Sequence, residues 1–252
     1  MAPRYYHRQV VLIGIESTYG TALALTGSAN AILTRRGVEF IPLEGSTDEI
    51  DNLRVHMGAQ GERLNQNVRR IRFQIDAGPP TALGLAPSYS AVLRACGLAE
   101  VLQASTRADY NPISTGFSSA TIMWNDDGTN HVLRGARGTL KLVGESGRRP
   151  YFEVDFVGLP GTDSEVSLPA TTLTGYREPV PLSVAGGATF TLHGYNAVLE
   201  RIEIDLGNRI EPRMHINAEE VLQTGRKTTG TALIEADQIS AINWRQRAEA
   251  ST

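Results

Sequence analysis

A chain of 252 residues with 41% hydrophobic and 20% charged residues suits one large domain or two small ones sharing a core, and it excludes wholesale disorder. A formal net charge of −3 gives no general reason for tight nucleic-acid binding, which requires clustered Lys and Arg to replace phosphate counterions. The single cysteine, Cys96, excludes an intramolecular disulfide, and no apolar run approaches the roughly 20 residues of a membrane-spanning helix.

Residues 1–36 carry few folding signals. The patch Val10-Val11-Leu12-Ile13 is too short for the apolar region of an export signal. Folding in a cytoplasm is therefore expected. Small and turn-prone residues from Glu16 to Leu23 read as an extended arm or loop. The first expected strand is Val38–Leu43, with Pro42 pointing to an edge or a strand end.

A polar stretch, 44–67, follows; a connection of that length inside a domain is usually functional or disordered. Its charged residues include Asp48, Glu49, Asp51, Arg54, Glu62 and Arg63. From Val68 to Asp76, Ile71, Phe73 and Ile75 alternate with polar residues, the period of a half-buried strand. Pro87 to Leu98 reads as a helix of about three turns, with Pro87 in the first turn and Gly97 at the left-handed terminating position. Cys96 is expected on its buried face.

Strand patterns return over 119–157. Asp126-Asp127-Gly128 between two such runs is a strong hairpin signal. In Pro150–Val157, Phe152, Val154 and Phe156 fall on one face and Glu153 and Asp155 on the other. A stretch rich in Gly, Pro, Ser and Thr, 161–178, reads as a linker. Beyond it, 189–192, 200–206 and 230–235 read as strands and 218–223 as a short helix. Residues 245–252 form a polar tail.

Phe40–Leu43 followed by Arg70–Gly78 echoes Val180–Leu182 followed by Leu199–Gly207. The echo is either chance likeness between amphipathic strands or the trace of a duplicated β-fold.

Catalytic signatures fail one by one. His7, His56, His131, His193 and His215 lack metal-ligand spacing. Gly225-Arg226-Lys227-Thr228-Thr229-Gly230 lacks the spacing of a phosphate loop, and Asn125–Asn130 lacks the downstream glutamate of a calcium loop. The expectation is a protein that is not an enzyme and takes no cofactor or metal.

The segments Glu16–Thr21, Leu85–Leu98, Trp124–Gly128, Gly135–Leu142 and Pro150–Phe156, in that order and spacing, resemble the major tail tube proteins of long-tailed bacteriophages. The likeness runs over about 16–160 and is looser beyond. It implies a mainly β fold, a tail-tube-type β-sandwich or barrel with a flanking α-helix. The extra length and the echo favour two fused tube-like folds: an arm and loop at 1–36, a first unit at 37–160, the linker, and a shortened second unit at 179–244.

Members of that family form rings stacked into a tube for genome passage. The resemblance therefore implies a virion protein that partners itself, with a trimeric pseudo-sixfold ring favoured over a hexamer. Tape measure, tail terminator and distal tail proteins are the further partners implied, with DNA passing the lumen without specific binding. Family channels tend to be acidic, which makes Glu153, Asp155, Glu203 and Asp205 the lumen-facing candidates. The loop 44–67 matches the position that reaches an adjacent ring in that family, which makes Asp48, Glu49, Asp51, Arg54, Glu62 and Arg63 the inter-ring candidates. The competing expectation is a monomeric β-sandwich that binds carbohydrate or acts in adhesion, which would need an exposed aromatic platform.

Overall fold

The computed structural model describes residue 5, residues 7–58 and residues 60–250; the outermost parts of the expected arm and tail, and Ala59 in the long polar stretch, lie outside them. The fold is mainly β. Its first half comprises β1 (Gln9–Ile15), α1 (Gly27–Asn30), β2 (Ala31–Ile32), β3 (Glu39–Glu44), β4 (Thr47–Glu49), β5 (Glu62–Leu64), β6 (Val68–Asp76) and α2 (Ser90–Ala95). The hairpin β7 (Leu98–Gln103) and β8 (Arg107–Pro112) follows, then β9 (Ala120–Asp126), β10 (Thr129–Glu145), β11 (Tyr151–Pro160) and β12 (Ser164–Glu165). The last third holds β13 (Leu199–Asp205), β14 (Asn208–His215), β15 (Ala218–Arg226), β16 (Thr229–Ile234) and α3 (Trp244–Glu249).

A ten-stranded sheet runs β2-β1-β9-β10-β11-β6-β3, with β12 and β13 also on β10 and β16 on β13. Its pairings are antiparallel. The path nearly closes on itself: Thr34, just past β2, bridges Ile75 of β6, and Arg35 donates its backbone N–H to the Gln74 carbonyl. Closure of this kind satisfies backbone groups that a sheet edge would leave bare. Inside lies one core, including Val11, Ile13, Ile71, Phe73, Ile75, Ile122, Leu133, Val154 and Phe156. Each such aliphatic or aromatic side chain contributes on the order of 1.5–3 kcal/mol on full burial.

The alternation in 68–76 does what it predicts, with Ile71, Phe73 and Ile75 all buried. The helix expected over 87–98 is present but shorter, as α2. Gly97 terminates it with φ +76°, and Val92 and Cys96 are fully buried. The expected hairpin turn is Asp127-Gly128, whose positive φ values of 42° and 112° suit a tight two-residue connection. Pro42 sits at the irregularity where β3 leaves register with β6, a position that spares the ladder its missing N–H.

Three local expectations are corrected. Residues 1–36 are not solely arm and loop. Val10-Val11-Leu12-Ile13 belongs to β1, paired along its whole length with β9, and Val11, Leu12 and Ile13 are buried. A strand covered on both faces reads as a continuous apolar run rather than an alternating one. The stretch 218–223 is strand, not helix, because pairing of β15 with β14 outweighs the helical preference of Ala-Glu-Glu. Finally, 189–192 makes only an isolated bridge, Leu192 to Tyr195.

Strand β10 organises the molecule. Its first part pairs β9 on one edge, from Asn130 to Ala136. A bulge at Gly135, with φ +59°, turns the strand, and its last part, Lys141–Glu145, pairs β13 on that same edge. Strands β13 and β16 of the 179–244 stretch therefore continue the sheet built by 37–160. From that stretch only Leu206 joins the main core, while Val221 packs with Val68, Val157 and Leu159 in a second cluster.

Candidate assembly surfaces

The segment after β1 is fastened by a buried carboxylate. Glu16 accepts hydrogen bonds from the Gly20 N–H at 2.9 Å, Ser119 Oγ at 2.7 Å, Thr121 Oγ1 at 2.8 Å and the Gly135 N–H at 2.8 Å. A carboxylate with four donors is satisfied despite burial. Tyr19 lies against the bulge, where a Cβ on Gly135 would meet its ring atoms at 2.9 Å. Arg137 stacks over the same ring, and the Val221 N–H donates to the Tyr19 hydroxyl. Burial pushes that phenol's pKa up. The Glu16–Gly20 segment thus ties β1, β9, the β10 bulge and β15 together.

The β14–β15 hairpin has a second anchor in Asn208. Its Nδ2 donates to the Cys96 carbonyl at 2.7 Å and the Gly138 carbonyl at 3.0 Å, and its Oδ1 accepts from Gln223 and Arg226. Cys96 is inert in this setting, its thiol pKa raised by complete burial.

All four carboxylates expected to face a channel lie on one side of the sheet. Lys141 on β10 stands directly opposite Glu153 on β11 and Asp205 on β13; Thr139 stands opposite Asp155, and Glu203 is two residues from Asp205. Directly paired residues share a face, as do residues two apart. Across this face run ion pairs: Arg70 with Glu44 (2.6 Å) and Asp155 (3.1 Å), Arg72 with Asp155 (3.0 Å) and Glu39 (3.4 Å), and Lys141 with Glu203 (2.5 Å). Arg201 also pairs with Glu203.

Six carboxylates (Glu39, Glu44, Glu153, Asp155, Glu203, Asp205) meet four cations (Arg70, Arg72, Lys141, Arg201) on this network, and Arg36 adds a fifth cation beside it, so this set keeps an acidic surplus of one charge. The Lys141 ammonium holds the Glu203 carboxyl below its usual range, and the carboxylates hold Arg70 and Arg72 more firmly charged. A shallow groove of about 410 Å³ crosses the face between Arg36, Arg72, Lys141 and Asp205.

The six loop candidates are placed on a different feature. Beyond Glu44 opposite Val68, the chain continues as a second two-stranded ladder, with Thr47 opposite Leu64, Asp48 opposite Arg63 and Glu49 opposite Glu62. This β4–β5 arm is exposed, and Asp51 and Arg54 lie in its tip, so all six are exposed. What the polar reading of 44–67 missed is the tip itself. Leu53, Val55 and Met57 stand at 106%, 98% and 105% exposure. The signal was present as an apolar residue at every second position from 53 to 57.

Two further surfaces are bare. Strand β16 pairs only β13 within the sheet and is exposed along most of its length. At the Tyr151 end of the sheet, Leu142, Leu182, Phe190, Val198 and Ile202 line a half-enclosed apolar recess of about 550 Å³. Among the described residues, Tyr5 is the one aromatic side chain in the exposed apolar set, and the half-buried Tyr195 and Trp244 meet edge to face at 5.9 Å.

The accessible surface is 15502 Å². Area scaling for compact monomers gives about 10,900 Å² at this mass of 27.3 kDa. No family model matches the chain, and no curated protein matches it.

Proposed function

We propose that this protein is a structural virion subunit that assembles with copies of itself into stacked rings, forming the tail tube of a long-tailed bacteriophage through which the genome passes. The observation that carries this reading is the surplus surface, roughly 4,600 Å² beyond a compact monomer of equal mass. A standard interface covers about 800 Å² on each partner, so the surplus is enough for several. Exposed features that would gain from a partner include the β4–β5 arm, the free edge of β16 and the apolar recess.

The acidic face supports the channel part of the proposal. A wall that keeps a carboxylate surplus repels phosphate and offers no counterion release, so duplex DNA would slide past without sticking. Glu153, Asp155, Glu203 and Asp205 are the residues we assign to it. A ring of three chains with approximate sixfold symmetry is the favoured arrangement, with six chains as the alternative. A starting protein, a terminator and a length-setting protein inside the tube complete the proposed partnership.

Negative-stain electron microscopy of the concentrated protein tests the proposal, with rings or hollow filaments as the expected outcome. A monodisperse monomer by sedimentation, with no particles on the grid, would overturn it.

A further inference from the structure

We propose that the arm tip, through Leu53, Val55 and Met57, seats in the apolar recess of a second copy of this chain. This rests on the self-assembly reading and adds the receptor to it. The contact would be apolar at its centre, with the charged residues of the arm forming a rim.

Position is the first argument. The arm leaves the sheet where Glu44 pairs Val68, and the β4–β5 ladder carries it outward from that end. The recess lies at the other end, where Tyr151 pairs Asp76 and Pro150 joins the lining. Nine residues of β6 separate the two, about 27 Å of strand. The root of the arm and the recess therefore lie at opposite ends of β6. A knob at one end and a hole at the other form a head-to-tail contact, the class of interface that repeats from copy to copy.

Construction of the recess is the second argument. Its wall is held by backbone hydrogen bonds, Leu182 N–H to the Arg148 carbonyl at 3.0 Å and Gly147 N–H to the Leu182 carbonyl at 2.7 Å. At Gly144 in the lining, a Cβ would meet Leu182 Cδ1 at 2.8 Å and Ile202 Cγ2 at 3.1 Å, so these two side chains lie directly against β10. Val184 and Val198 stand on the lining at 93% and 60% exposure.

The recess holds apolar surface with no occupant from its own chain among the described residues, and the tip carries three apolar side chains with no cover. Burial of the two together removes both exposures at once.

The test uses two singly substituted proteins, Met57→Cys and Val184→Cys, mixed at high concentration under mild oxidation. Both sites are almost fully exposed, so the fold is retained. The native Cys96 is fully buried and its thiol is held protonated, so it does not compete. The expected product is a mixed disulfide between the two proteins, at least tenfold above that formed by Met57→Cys with Leu83→Cys, which lines the adjoining recess.

Rings or filaments that form without preferential Met57–Val184 capture would overturn the docking and leave the tube reading standing. Preferential capture with no rings or filaments would support the docking and overturn the tube. Neither capture nor assembly would overturn both.

Discussion

Glu16 directs its carboxylate at two hydroxyls and two backbone N–H groups drawn from three parts of the chain. Replacement by Ala strands those donors in a buried site, where each unsatisfied group costs on the order of 1–3 kcal/mol. Glu16→Ala should therefore lower unfolding stability by about 3 kcal/mol or more, after allowance for relaxation. A urea melt with an unchanged slope and a lower midpoint is the expected result; a midpoint equal to the parent's would show that the clasp is dispensable.

Asp163 makes a pH-dependent contribution. Burial alone would raise its pKa, but the Arg69 fork and the Val132 N–H outweigh that effect and hold it below the ordinary carboxylate range. With the folded value depressed, the stabilisation is complete above the unfolded value and is lost as pH falls through the lower folded one. Asp163→Asn should cost about 1 kcal/mol at neutral pH, given the partial exposure of the carboxylate. The difference from the parent should vanish in acid melts below both values. A gap that persists there would assign the effect to packing.

At this scale the sequence was informative only where partners are near or periodic. The shared face of Glu153 and Asp155, and of Glu203 and Asp205, follows from alternation, and the paired strands then brought the two sets together. Glu16 gave no such hint, because its partners Ser119, Thr121 and Gly135 lie more than a hundred residues away.

Among the elements, β6, the Asp127-Gly128 turn and the Gly97 helix end were legible because each is set by local chemistry: a period of two, or a positive φ. Those misread were settled by non-local pairing. β1 hides both faces between neighbours, and β15 is helix-prone in isolation yet completes a ladder with β14. The β7–β8 and β14 strands were passed over, Pro112 and Pro212 lying within them.

The arm is an element with its own prediction. Its ladder is an exposed extension, while β3 and β6 keep their own pairing and the core lies elsewhere. Deletion of 46–65 with a short Gly-Ser link should leave the thermal midpoint within a few degrees of the parent's. Rings should still form and long tubes should not, as scored by electron microscopy. Normal tubes from the deletion protein would show that the arm does not join copies.

For the molecule as a whole, alternation pointed to strands and the resemblance implied a mainly β fold, and the fold, built on one large antiparallel sheet, is mainly β as expected. Of the segments in the echo between 40–78 and 180–207, three belong to strands of one sheet, β3, β6 and β13, while Val180–Leu182 forms no strand. Sequence likeness shows that two strands are similarly amphipathic. It does not show which edge each will find, since edge choice depends on the bend at Gly135, where β10 exchanges one neighbour for another.

The placement of finger and socket at opposite extremities has a consequence for any column of copies joined through them. Such a column cannot be the same at its top and bottom: one face would present a crown of bare fingers, the other a set of vacant sockets. A protein that primes growth and one that halts it would then need contrary shapes, one concave and greasy, the other pronged. Elongation would have a direction before any regulator arrived.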